Sequence, residues 1–205
     1  ADIESVVLSI VDKELLSGIL NVRTKSLFLV NEKITSSLIA KNFPAVSFVD
    51  IKKQYPNQIT VKVKEREAFS IFCNSLESCF SIDGNGVIFE PVTGIHPEQL
   101  VISQTQEHKN FAVGETAVLK NIMDMISSVQ KSLNDNFQID INEVLVSNYL
   151  VVKTAENWKI YFDIRSPINM QIQKMNALLK DEIPESQRKK LEYIYLQYQD
   201  RAYYK

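Results

Sequence analysis

Apolar positions along the chain fall into alternating runs and helical stripes, and their order predicts two regions of different texture. In the first region Ile3 to Ile10 reads as a strand, and Asp12 is placed to cap a short helix carrying Leu15, Leu16 and Ile19. After the apolar connection Leu27-Phe28-Leu29-Val30, Asn31 is placed to cap a second helix. On that helix Ile34, Leu38 and Ile39 share one face, and it runs out before Pro44. Val46 to Ile51 predicts a strand and Tyr55-Pro56-Asn57-Gln58 a turn. In the next strand Ile59, Val61 and Val63 face in while Thr60, Lys62 and Lys64 face out.

From Ala68 the pattern changes to hairpins with two long helices among them. Asp83-Gly84-Asn85-Gly86 is a tight-turn signal between Phe80-Ser81-Ile82 and Val87-Ile88-Phe89. Val118, Leu119, Ile122, Met125, Ile126, Val129 and Leu133 trace one helical stripe. Glu143 to Ser147, Tyr149 to Thr154 and Trp158 to Asp163 follow as an antiparallel meander, with Trp158, Ile160 and Phe162 on one face. Ile172, Met175, Leu178 and Leu179 mark a second helix ended by Pro184, and a strand runs from Leu191 onward. The predicted class is α+β. A boundary near Glu67 to Phe69 separates a β-α-α-β-β module, residues 1–68, from a mainly antiparallel β domain with two packed helices, residues 69–205.

Composition narrows the function classes. A chain of 205 residues buries about 70% of its unfolded surface, so it needs no metal or disulfide to fold. Its 45% apolar content excludes disorder, and 5 Gly with 6 Pro exclude collagen-like or low-complexity character. A net charge of -2 argues against a dedicated nucleic-acid binder, which is usually clearly basic. No uninterrupted apolar run of about 18 residues occurs. Ala1-Asp2-Ile3-Glu4 has neither the basic flank nor the apolar core of a signal peptide, and the strand pattern begins at once without an initiator Met. A piece of a longer protein is expected.

Signals for catalysis are weak. No nucleophile elbow, HExxH, Walker or dinucleotide-binding pattern is present. Asp83 and Asn85 faintly echo a calcium loop but lack its further oxygen ligands, and the hairpin turn is the better reading. His96 and His108 have no third ligand at metal spacing. No enzyme activity, cofactor or metal is predicted. The basic cluster Lys52, Lys53, Lys62, Lys64 and Arg66 is offset by Asp50, Glu65 and Glu67, and reads as a solvated sheet face. Contact with anionic lipid head groups is the alternative.

Two features stand out. Cys73 and Cys79, the two cysteines of the chain, flank the tip of a predicted hairpin. They read either as a disulfide or as two reduced, half-buried thiols; the disulfide is favoured, and with it an oxidising compartment. The last thirteen residues hold five of the eight tyrosines. In that stretch Ile194, Leu196 and Tyr198 are expected to face the core, with Tyr193, Tyr195 and Gln197 on the other side. Tyrosine adds contact area at small entropic cost, and a terminal strand at a sheet edge invites strand pairing with a partner. The alternative is a packed strand with a frayed tail.

Several of these segments, in order, resemble the FtsQ/DivIB cell-division family, whose extracytoplasmic part joins a POTRA domain to a β domain. Val46 to Lys53, Gln54-Tyr55-Pro56 and Ile59 to Arg66 match the strand, Pro turn and alternating strand that close its POTRA domain. Ile82-Asp83-Gly84-Asn85-Gly86-Val87-Ile88-Phe89 matches its Ile-Asp-x-x-Gly-x-x-Phe hairpin. Pro97 and Val113-Gly114 sit where the family tends to have Pro and Gly. Tyr193-Ile194-Tyr195-Leu196-Gln197-Tyr198 keeps four of six positions of a late strand that usually reads Tyr, Ile or Val, Asp, Leu, Arg, then Tyr or Phe. Tyr195 and Gln197 replace the usual Asp and Arg.

The resemblance implies a non-enzymatic divisome scaffold, anchored by one N-terminal membrane helix at the extracytoplasmic face of the septal membrane. It implies binding of FtsB/DivIC-type and FtsL-type subunits, which regulate septal peptidoglycan synthesis, by addition of a partner strand to the last β-domain strand. By position, Tyr198 matches a family contact residue, and Gln199, Asp200, Arg201, Ala202 and Tyr203 continue the edge. The POTRA domain would meet other membrane divisome proteins. A POTRA-type chaperone or secretion adaptor that binds unfolded strands is the alternative.

Overall fold

The computed structural model describes residues 12–15, 22–25, 30–56, 58–75, 78–96, 98–105, 110–198 and 200–205, the first two stretches by their backbone. The chain divides into two compact units, Ala1–Glu67 and Ala68–Lys205. The strand expected over Ile3 to Ile10 lies outside the described residues, as do Leu16, Ile19 and His108.

In the first unit, β1 (Asp12–Leu15) and β2 (Val22–Lys25) pair antiparallel, with Asp12 opposite Lys25 and Leu15 opposite Val22. This corrects the helix expected from Asp12. A short helix carries a high nucleation cost, whereas the ladder to Val22 and Thr24 engages residues that favour extended backbone. The helix α1 (Glu32–Asn42) follows, and Asn31 caps it: Oδ1 accepts from the Lys33 and Ile34 N–H groups at 3.1 and 3.2 Å. Its buried residues are Thr35 and Ile39, four apart on one stripe. Ile34 and Leu38, expected beside Ile39, are 56% and 38% exposed, because each lies one residue, about 100°, round the helix from that stripe.

The strands β3 (Val46–Gln54) and β4 (Gln58–Glu65) form an antiparallel ribbon with Val49 opposite Val63 and Ile51 opposite Val61. Ile59 and Val61 are half-buried, as the alternation predicts, but Val63 is 44% exposed. Alternation selects the face of a strand and not the depth at each position along it. Arg66 ties the end of β4 back: its N–H donates to the Ala45 carbonyl at 2.7 Å and its Nε to the Pro44 carbonyl at 2.8 Å.

The second unit is built on a nine-stranded mixed sheet. The strands β5 (Ser70–Ser75), β6 (Ser78–Ile82) and β7 (Ile88–Val92) make one antiparallel meander. A second one is formed by β9 (Ile141–Val146), β10 (Tyr149–Thr154) and β11 (Lys159–Asp163). The short β8 (Val101–Gln104) joins them by lying parallel to both β5 and β9. Helix α2 (Lys120–Phe137) connects β8 to β9. After β11 the chain crosses over through α3 (Ile168–Ala177), a π-helical turn (Leu178–Glu182) and α4 (Glu185–Arg188). It returns as β12 (Tyr193–Tyr195), parallel to β11. Finally β13 (Tyr203–Tyr204) pairs antiparallel with β12. The sheet order β13-β12-β11-β10-β9-β8-β5-β6-β7 leaves β13 and β7 at its edges.

One face of this sheet is the core. Phe72, Ile82, Ile102, Val144, Leu150, Ile160, Phe162 and Ile194 pack with Ile122, Met123, Met125, Ile126, Val129 and Leu133 of α2 and with Met175 and Leu179 of the crossover. Leu119, expected in the α2 stripe, is instead the N-cap and 67% exposed. A residue with extended backbone before the first turn does not follow the helical period.

Candidate partner-binding edge

The edge formed by β12 and β13 is where the tyrosine-rich end of the chain folds. Ile194 and Leu196 are buried in the core, as their alternation predicts. Tyr193 and Tyr195 lie on the opposite face, half-buried, with Tyr161 of β11 across from Tyr195. The Tyr161 and Tyr195 rings are 4.4 Å apart and those of Tyr193 and Tyr195 4.6 Å apart, an aromatic row across two strands. Burial first, and then the neighbouring Tyr161, push the Tyr195 phenol above its ordinary value.

Tyr198 departs from expectation. It does not face the core but is 47% exposed, because β12 ends at Tyr195 and the last bond to β11 comes from Leu196, whose N–H donates to the Tyr161 carbonyl at 2.9 Å. Beyond it Lys174 Nζ, reaching from α3, donates to the Leu196 carbonyl at 3.4 Å and to the Tyr198 carbonyl. The chain then reverses. Asp200 and Arg201 are exposed, Ala202 is half-buried against the core, and Tyr203 pairs with Tyr195. The Tyr198 and Tyr203 rings meet edge-on at 5.4 Å, and Arg201 NH1 donates to the Tyr203 hydroxyl at 3.4 Å. Gln199 lies outside the described residues. The other five candidate contact residues thus come together, but as a fold-back and not as a continuation of β12.

A cavity of about 340 Å³ opens beside Tyr198, lined among others by Asp163, Met170, Gln171, Lys174 and Gln197. Asp163 Oδ1 accepts from the Arg165 N–H at 3.0 Å and Oδ2 from the Ser166 hydroxyl at 2.7 Å. These bonds, the Arg165 N–H foremost, hold its carboxyl below the usual range. Buried Gln171 braces the same loop, accepting from the Asp163 N–H and donating to the Asp163 carbonyl, each at 2.9 Å. Among the described residues no donor reaches the buried Gln197 Oε1. These polar groups hold backbone in place and line the cavity. Sequence spacing offered no route to Gln171 and Lys174, which reach β12 by the crossover; the Asp163-x-x-Ser166 turn was the one local signal.

The remaining candidates fall elsewhere. Cys73 and Cys79 sit directly opposite in β5 and β6 and form a disulfide, with Cα atoms 4.2 Å apart. Its reduction is expected to lower the unfolding free energy of this unit by about 2 kcal/mol, the chain-entropy value for so short a loop. Urea midpoints that coincide with and without reductant would contradict that value. The Asp83 carboxylate is taken up by its own turn, accepting from the Asn85 and Val87 N–H groups at 2.9 and 3.0 Å. His96 is exposed, and among the described residues no three His, Cys, Asp or Glu side chains converge as metal ligands. The basic cluster is split by the register: Lys52 and Lys62 share one face of the ribbon with Asp50, while Lys53 shares the other with Ile59. No helix among the described residues is long and apolar enough to cross a membrane.

Comparison with known proteins shows what the chain is similar to. Residues 12–66 match the model of the POTRA domain, FtsQ-type. The chain is similar to the cell division protein DivIB of Clostridium tetani, 26% identical over 165 residues, which cover 77% of this chain and 61% of that protein. DivIB of Clostridium botulinum is 26% identical over 190 residues, 87% of this chain and 71% of that protein. Over most of its length this chain resembles the FtsQ/DivIB proteins. A third relative, DivIB of Clostridium acetobutylicum, is 32% identical over 112 residues, 54% of this chain and 44% of that protein. The chain thus spans less than two thirds of the Clostridium tetani and Clostridium acetobutylicum proteins, matching 61% and 44% of their lengths. The family match to residues 12–66 coincides with the β1-to-β4 unit, which ends at Glu67.

Proposed function

We propose that this FtsQ/DivIB chain is a non-enzymatic scaffold of the bacterial division machinery. It holds FtsB/DivIC-type and FtsL-type subunits by strand addition at its C-terminal sheet edge, and through them helps regulate septal peptidoglycan synthesis. The observation that carries this reading is the ending of the nine-stranded sheet in a row of tyrosines beside an exposed Tyr198. Edge backbone groups supply affinity in strand addition, and exposed aromatic rings supply anchors. In the full-length protein an N-terminal membrane helix anchors the molecule, and both units stand on the extracytoplasmic face of the membrane at the septum. The Cys73–Cys79 disulfide supports an oxidising compartment. The POTRA domain, residues 1–68, meets other membrane divisome proteins, and the β domain, residues 69–205, carries the partner-binding strand.

Calorimetric titration with the FtsB/FtsL-type ectodomain pair of the same genome tests this reading. Binding at about micromolar affinity or tighter is expected. Tyr198→Glu is expected to weaken it roughly thirtyfold, the loss typical of an aromatic anchor, and to leave the thermal midpoint unchanged because the ring is exposed. Unaltered affinity would remove Tyr198 from the interface. No binding by the folded wild-type chain would move the reading to a POTRA-type secretion adaptor.

A further inference from the structure

The two edges of the nine-stranded sheet are protected differently. On β7 the edge carries Pro91, which has no N–H to offer, next to the exposed Glu90; both features discourage strand pairing. On the other side β12 reads Tyr-Ile-Tyr, with neither proline nor charge, and nothing in its own sequence discourages a partner. What covers it is the chain's own end. Tyr204 pairs with Ile194 and Tyr203 with Tyr195. The Lys205 N–H donates to the Tyr193 carbonyl at 3.2 Å, and its carbonyl accepts from the Glu192 and Tyr193 N–H groups at 2.6 and 3.3 Å.

This cover satisfies the edge but is thinly held. The strand is two residues long, and Tyr203 and Tyr204 are each nearly half exposed. Among the described residues after Tyr198, Ala202 alone packs against the core. The Lys205–Glu192 ion pair, at 3.1 Å, joins two solvent-facing side chains and adds little. Backbone pairing without apolar burial is the kind of contact that a longer strand with its own anchors replaces.

We infer that Tyr203–Lys205 is a resident strand that occupies the β12 edge and is displaced when a partner strand adds. The inference rests on the edge-binding reading above and specifies the occupant: an extended segment, antiparallel to β12, with an aromatic or aliphatic side chain opposite Tyr195, as the tail's Tyr203 now has. The tail lowers the apparent affinity by the fraction of time it leaves the edge open. Tyr198, which lies before the reversal, stays available to the incoming segment.

The test compares three proteins titrated with the same ectodomain pair: the full chain, a chain ending at Ala202, and a Tyr195→Cys, Tyr203→Cys variant whose new disulfide ties the tail down. Unfolding midpoints and the two single-cysteine variants serve as controls for folding and for side-chain loss. The shortened chain is expected to bind roughly tenfold tighter, as a covered edge opens, and the tied chain to lose binding. Equal affinity in all three overturns the inference while leaving the edge reading in place, and so does weaker binding by the shortened chain, which would make the tail a contact. No binding by any of them overturns both.

Discussion

Replacing Trp158 with alanine is expected to lower the stability of the sheet-rich unit by about 3–5 kcal/mol, the range for removing a large buried aromatic. Trp158 is the largest fully buried side chain of the protein's described core. It immediately precedes β11, in which Ile160 and Phe162 follow it into the same core. Its indole also closes a polar link: Nε1 donates to Glu156 Oε2 at 2.9 Å, and Glu156 Oε1 lies 3.7 Å from NH1 of the buried Arg188. Truncation therefore leaves a cavity and unhooks the carboxylate that faces the Arg188 guanidinium. Trp158→Phe keeps most of the volume and removes the donor, so it should cost about 1–2 kcal/mol, the scale of one hydrogen bond and a small void. Urea unfolding of both variants measures the difference. An alanine variant within about 1 kcal/mol of wild type would contradict the packing described here.

Gly86→Ala is the second large effect, and its neighbour provides the control. Gly86 has φ +77, and an added Cβ would stand 2.0 Å from the Val118 carbonyl oxygen and 2.9 Å from its carbon. Those atoms are backbone and cannot swing aside. The same glycine accepts the Ala117 N–H at 2.9 Å, so the hairpin and the segment leading into α2 meet at this point. The positive φ alone costs a non-glycine residue about 1–3 kcal/mol, and separating the two segments adds to it. A total loss of about 3 kcal/mol or more is expected in thermal or urea melts. Gly84, two residues away in the same turn, has nothing within 4 Å of an added Cβ, and Gly84→Ala should be nearly neutral. Equal costs at the two positions would refute the close approach at Gly86.

The legible parts of the fold were those with short-range periods. The α2 stripe, the Trp158-Ile160-Phe162 alternation and the Asp-Gly-Asn-Gly hairpin followed from spacing and turn chemistry. Local pattern did not decide the structure where it met a competing partner or stopped. Asp12–Leu15 pairs with Val22–Lys25 as a strand instead of forming a helix, since a few residues of helical spacing do not repay nucleation. Leu119 sits just before the first residue of α2 and Tyr198 three residues beyond the end of β12, where the period no longer determines what a side chain faces.

The amino-acid sequence by itself determined the faces of the strands, the capping of α1 by Asn31, the apolar stripe of α2 and the gathering of tyrosines at the chain's end. Each depends on residues within a few positions of one another. Only the tertiary structure decided that β8 lies parallel to two meanders, that α3 delivers Lys174 to the end of β12, and that the last residues fold back over the sheet edge. These are pairings between distant segments. Their outcome is set by loop closure and by burial against partners far along the chain, which no local period encodes.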